Sequence, residues 1–127
     1  MKQNTHLRIS PSLVGKIECV EPENAVATLK ATPEMCADER GLVHGGFTFG
    51  LADYAVMVAV NDPNVVLGSS QVRFLRPVTA GQTMRAEAQV TSAEGKKRIV
   101  KVTVTVEGQP VMEGEMTAFV LPKHVLD

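Results

Sequence analysis

Residues 46–60 read GFTFGLADYAVMVAV, and this stretch decides the fold. Phe47, Phe49, Leu51, Val56, Met57 and Val58 point to every side of a helical wheel, and alanines fill much of the rest. The run is too long for a typical strand. It stops at Asn61-Asp62-Pro63, a cluster that breaks helices. A helix that is apolar on nearly every face is a buried helix, because none of its faces prefers water. The flanking sequence must therefore supply its cover.

That cover is legible on both sides. Met84, Ala86, Ala88 and Val90 alternate with Arg85, Glu87 and Gln89; Val100, Val102, Val104 and Val106 alternate with Lys101, Thr103, Thr105 and Glu107. Period-two alternation marks antiparallel strands with one buried face. Glu94-Gly95-Lys96-Lys97 and Gly108-Gln109-Pro110 supply turns between them. Further strands fit Val66 to Leu75 and Val111 to Val120. Upstream of the helix, Ile17 to Val20 and Ala25 to Ala31 flank Glu21-Pro22-Glu23-Asn24 and predict a hairpin. The pattern is two short strands, one buried helix, then four strands. An α+β arrangement, with an antiparallel sheet wrapped around one long central helix, hides that helix most economically. No repeat or linker interrupts residues 1–127, so a single domain is expected.

Composition narrows the function. The net charge is -1 and aromatic residues make up 4% of the chain, with no Trp. Neither a basic field for nucleic acid or membrane nor an aromatic stacking platform is present. Cys19 and Cys36 show no metal-ligand or disulfide spacing, and His6, His44 and His124 are scattered. No metal and no cofactor are expected. Residues 1–10 lack the apolar core of a signal peptide, and no segment reaches the length of a membrane span. A cytoplasmic location is expected.

Two features carry chemistry. Asp53 is the one charged residue inside the buried helix. Desolvation there raises a carboxylate's pKa, which prepares a base, although an Asp tied to a neighbouring hydroxyl would look the same in sequence. His44-Gly45-Gly46 stands where the helix begins. Free N–H groups at a helix start suit an oxyanion, and glycine lets a ligand approach the backbone. A tight glycine turn is the plainer alternative. Gly45 and Asp53 lie eight residues apart, or roughly 12 Å along one helix. One reacting carbonyl cannot touch both within a chain. If both act, a second copy must supply one of them.

Gly41-Leu42-Val43-His44-Gly45-Gly46, Leu51-Ala52-Asp53 and Val72-Arg73-Phe74-Leu75-Arg76-Pro77, followed by Gly81, together resemble the hotdog-fold acyl-CoA thioesterases of the phenylacetate-pathway type. The resemblance runs from about Ile17 to Val120. It implies an acyl-CoA substrate, dimers often paired into homotetramers, and a site shared between subunits. It also implies that Asp53 acts as base or nucleophile, that the Gly45 N–H polarises the thioester carbonyl, and that His44 and Gly46 support that end. One position departs from the pattern. Where the family often carries Asn or Gln, six residues before the histidine, this chain has Asp38, which cannot donate as an amide does when ionised. Placed near Asp53, it would push one of the two pKa values up.

Ser69 and Ser70 are candidates to line the site. Arg73 and Arg76, with Lys96, Lys97 and Arg98, are candidates to meet the phosphates of coenzyme A, though a solvated surface explains each as well. Met57 and Met84 are expected in the core. Two rivals stand beside thioester hydrolysis. One is a non-catalytic acyl-CoA binder, since the strands from Val66 onward also resemble the effector domain of hotdog lipid-synthesis repressors. The residues before Ile17 are too few for a helix-turn-helix of the repressor kind. The other is a hydratase of enoyl thioesters, which needs a paired Asp and His that the sequence does not display.

Overall fold

Local preference does not explain the central helix. Val56, Val58 and Val60 are β-branched and poor helix formers, so burial rather than propensity holds its second half. In the computed structural model, which describes residues 1–127, helix α1 spans Gly45–Val60. It ends where Asn61 turns into the left-handed conformation (φ 57, ψ 35) and its N–H donates to the Met57 carbonyl at 2.9 Å.

Strands β1 (Lys16–Glu21) and β2 (Asn24–Lys30) precede the helix. Strands β3 (Val65–Phe74), β4 (Thr83–Glu94), β5 (Lys97–Val106) and β6 (Gln109–Val120) follow it. All pair antiparallel in one sheet of order β1-β2-β4-β5-β6-β3. This is the hotdog architecture, with each predicted strand and the helix in place; most ends are shifted by a residue or two, while β4 and β5 run further toward their shared turn than the alternation alone, to Glu94 and from Lys97.

The inner face of the sheet meets the helix. Ala25, Ala27, Ala86 and Ala88 are buried beneath it, and their small side chains let the helix approach the sheet closely. Around them Leu51, Met57, Met84, Met112 and Met116 are fully buried. Each such side chain contributes about 1.5–3 kcal/mol. Met57 and Met84 are core residues, as expected. No helix is long and apolar enough to cross a membrane.

One stripe of the helix escapes this cover. Gly46 is exposed, and Phe49, Gly50 and Asp53 are half-buried, along positions that share a face. A Cβ built on Gly50 would meet no atom within 4 Å, so the helix backbone lies bare there.

Candidate active site

The two ends of this stripe differ in chemistry. At the first turn, His44 provides the N-cap position but makes no side-chain cap, and no acidic residue follows it. The backbone N–H groups of Gly45 and Gly46 donate to nothing within the chain. The positive end of the helix dipole is thus uncompensated. A cavity of about 360 Å³ opens beside Gly45, bordered by Val43, Thr48, Phe74, Arg76, Val78 and Val111. The Phe74 ring faces Gly45 so closely that a Cβ there would lie 3.4 Å from it. Phe74 and Leu75 are 56% and 41% exposed, an apolar rim that a ligand or partner would cover. His44 is fixed by its own N–H, which donates to the Met35 carbonyl at 2.9 Å. Its exposed ring lies against Gly46 and meets Phe47 edge-on at 6.3 Å.

Asp53 is half-buried two turns further on. Its Oδ1 is fully buried and has no hydrogen-bond partner. Burial pushes its pKa up, and the nearby His6 pulls the other way. An unsatisfied buried carboxylate oxygen costs stability and is retained where something else needs it. His6 is held below its ordinary pKa by burial, and Asp53 raises it in turn. Sequence reasoning found no Asp–His pair; the structure brings His6 within electrostatic reach of Asp53, with no hydrogen bond or ion pair between them. The signal was absent because the two residues belong to distant segments joined only by tertiary packing.

The other candidates divide. Arg76 borders the Gly45 cavity and donates to the Pro110 carbonyl at 2.7 Å. Arg73 lies on the outer face of β3, where it pairs with Glu113 at 3.4 Å. Lys96, Lys97 and Arg98 sit at the β4–β5 turn, near Phe119 and Val120, at the opposite end of the sheet from Phe74. They and Arg76 do not form one phosphate site within a chain. Ser70 faces the helix side of edge strand β3 and Ser69 the outer side; both are exposed.

Asp38 is engaged with its own loop. Its Oδ1 accepts from the Arg40 and Leu42 N–H groups at 2.9 and 3.2 Å, closing its own loop. His6 is the one ionisable group that acts on Asp53, so Asp38 does not raise that carboxylate within the chain. The signal was present: Asp38-Glu39-Arg40-Gly41, with Gly41 at φ 85, is a turn signature. No three His, Cys, Asp or Glu side chains converge as metal ligands would.

Residues 39–112 match the model of the MaoC like domain. The chain belongs to this family. A crystal structure of an uncharacterized protein from Pyrococcus horikoshii is 50% identical, superposes with a TM-score of 0.99, and matches 100% of this chain and 98% of its own. A mutant of the phenylacetic acid degradation protein PaaI from Thermus thermophilus is 30% identical at a TM-score of 0.78, over 86% of this chain and 95% of its own. Among curated sequences, methylthioribose-1-phosphate isomerase of Aquifex aeolicus is 45% identical over 95% of this chain. Transcription factor FapR of Oceanobacillus iheyensis is 27% identical over 84%. The chain spans only 27% of the isomerase and 57% of the transcription factor.

Proposed function

We propose that this MaoC-like hotdog chain is an acyl-CoA thioester hydrolase of the phenylacetate-pathway type, working as a homodimer that pairs into a tetramer. The observation that carries the reading is the division of labour along α1. A buried carboxylate oxygen without a partner lies at Asp53, and free N–H donors face a cavity at Gly45, roughly 12 Å away along the helix. The bare stripe through Gly50 supports a second copy of the helix packing there, which brings Gly45 of the partner subunit to Asp53. The likeness to PaaI supports the substrate class.

In the proposed reaction, a water oxygen attacks the acyl carbon while its proton passes to the Asp53 carboxylate. The carbonyl electrons move to oxygen, held by the N–H of the partner's Gly45. When the carbonyl re-forms, the C–S bond breaks and the departing coenzyme A thiolate takes the proton from Asp53. An alternative route has Asp53 attack directly to give a mixed anhydride that water then opens. Label in the Asp53 carboxylate after a single turnover in ¹⁸O-water establishes the anhydride route opened at the Asp53 carbonyl, and trapping of the acyl-enzyme by hydroxylamine detects an anhydride that water opens at the acyl carbon. His44 and Gly46 shape the donor end, and Arg76 is placed to meet a phosphate of coenzyme A.

Thiol release from a panel of aryl and short- to medium-chain acyl-CoA esters tests the activity. The likeness to transcription factor FapR favours a second reading, a binder that holds acyl-CoA without turnover. Saturable binding of these esters with no thiol release would establish that reading instead. Consumption of enoyl-CoA without thiol release would establish hydration.

A further inference from the structure

The cavity beside Gly45 is graded from mouth to floor. Phe74, Leu75 and Arg76 stand at its mouth, all of them exposed. Gly45 is half-buried and lies between. Val43, Val78, Val111 and Thr48 are buried and make the floor. Thr48, 3% exposed, is the one floor residue with a polar side chain. It shares a face of α1 with Gly45, about 4.5 Å further along the helix axis.

The Thr48 hydroxyl is poorly partnered for so buried a group. It donates to Met84 Sδ at 3.3 Å, and no group of the chain donates to it. A thioether is a weak acceptor, and both lone pairs of the hydroxyl oxygen stay free. Helical threonines often turn the hydroxyl back to the carbonyl four residues earlier, and Thr48 does not. Valine has the same shape and would fill the position without burying a polar atom, so packing alone gives no reason for threonine here.

We propose that Thr48 is a specificity-determining residue: its hydroxyl meets the far end of the acyl group and favours a hydrogen-bonding oxygen there over hydrocarbon of the same shape. The proposal rests on the reading of Gly45 as the end that binds the thioester carbonyl. With that carbonyl at the Gly45 N–H and coenzyme A leaving through the mouth past Arg76, the acyl group is the part that reaches the floor. The three valines there suit hydrocarbon and offer nothing to an oxygen. At Thr48 a ligand hydroxyl finds free lone pairs to donate to. A ligand carbonyl finds a donor, once the O–H turns from the thioether to the stronger acceptor. Hydrocarbon in the same place leaves the hydroxyl on its sulfur and gains only dispersion.

The test compares acyl-CoA esters in pairs matched for shape, a hydroxyl replacing a methyl on the third, fourth or fifth carbon of the acyl chain. The first pair is 3-hydroxybutanoyl-CoA and 3-methylbutanoyl-CoA. Dissociation constants are read by calorimetry in an Asp53→Asn background, where turnover does not consume the ester. In the pair whose substituent reaches Thr48, the hydroxyl member should bind about five- to tenfold more tightly. Thr48→Val should bring the two members within about twofold of each other. Thr48→Ser, which keeps the hydroxyl, should keep the preference. Equal binding within every pair in the presence of Thr48 overturns the assignment, and this comparison does not depend on how the Thr48 variants fold. A preference that survives Thr48→Val overturns it as well and leaves Thr48 a packing residue. Saturable binding by none of the esters is a different failure: it overturns the acyl-CoA reading itself, and this inference with it.

Discussion

The first turn of α1 and its middle solve opposite electrostatic problems. At Gly45 the donors are backbone dipoles: free N–H groups at the start of the helix open on a largely apolar cavity, with Arg76 on its border and His44 beside it. At Asp53 a carboxylate is half-buried within a helix that is otherwise apolar, within electrostatic reach of His6 from an early segment of the chain. Fixed dipoles act without titrating, so the backbone donors themselves do not change with pH. The second region is poised to respond to it. In the proposed reaction neither region would be complete alone, since one lacks a proton acceptor and the other a donor for developing charge.

The largest expected effect comes from removing the charge. Asp53→Asn should lower kcat by about two orders of magnitude or more, the scale of a positioned acid–base group, with the fold intact. Near-normal turnover in that variant would remove Asp53 from the mechanism. Gly45→Pro deletes the other region's N–H and should be nearly inactive as well. Mixed at random, the two dead variants should recover about a quarter of wild-type activity, because half the dimers are mixed and each has one intact site. No recovery, with mixed dimers verified by native mass spectrometry, places both halves in one subunit.

Gly50 lies between the two regions and tests the interface that would join them. A side chain there has free space within the chain. Gly50→Arg should therefore keep its melting temperature while its dimer dissociation constant rises tenfold or more, about 1.4 kcal/mol, by analytical ultracentrifugation. Unchanged association would mean that the bare stripe is not the contact. Asp38→Asn should change kcat/KM by no more than about threefold, as expected for an exposed loop carboxylate whose Oδ1 is already taken up by two backbone N–H groups. A large loss would give Asp38 a role that its loop hydrogen bonds do not suggest.

The subtlest effect is on stability. Asp53 holds its proton more tightly folded than unfolded. Stability therefore falls as pH rises from the ordinary carboxylate range through the raised value, and the loss is complete above it. Asp53→Asn has no such penalty. It should melt higher than the wild type at neutral pH and converge with it in acid, by calorimetry. Equal melting temperatures throughout would mean that the carboxylate is better satisfied than its unpartnered Oδ1 implies.

The sequence by itself determined the architecture. Hydrophobic period is a local property, and in this chain it changes cleanly between residues 46–60 and the strands on either side. It also singled out Asp53, because one charge in an apolar helix stands out without coordinates, and it placed Gly45 at the helix start. Tertiary structure alone decided that the N-terminal segment docks beside Tyr54 and Asn61. Gln3 and Tyr54 are 51 residues apart in the chain, and the segment around Gln3 has no periodicity to betray its docking. Side-chain hydrogen bonds from Asn61 and Gln3 fix that segment, and such bonds form only after the sheet has positioned the helix. For the same reason Arg73 and Lys96–Arg98 looked interchangeable with Arg76 as phosphate-binding candidates in the sequence, and the hydrogen bonds that hold Asp38 in its own loop were not visible there. Only the path of the loop and the register of the strands separated them.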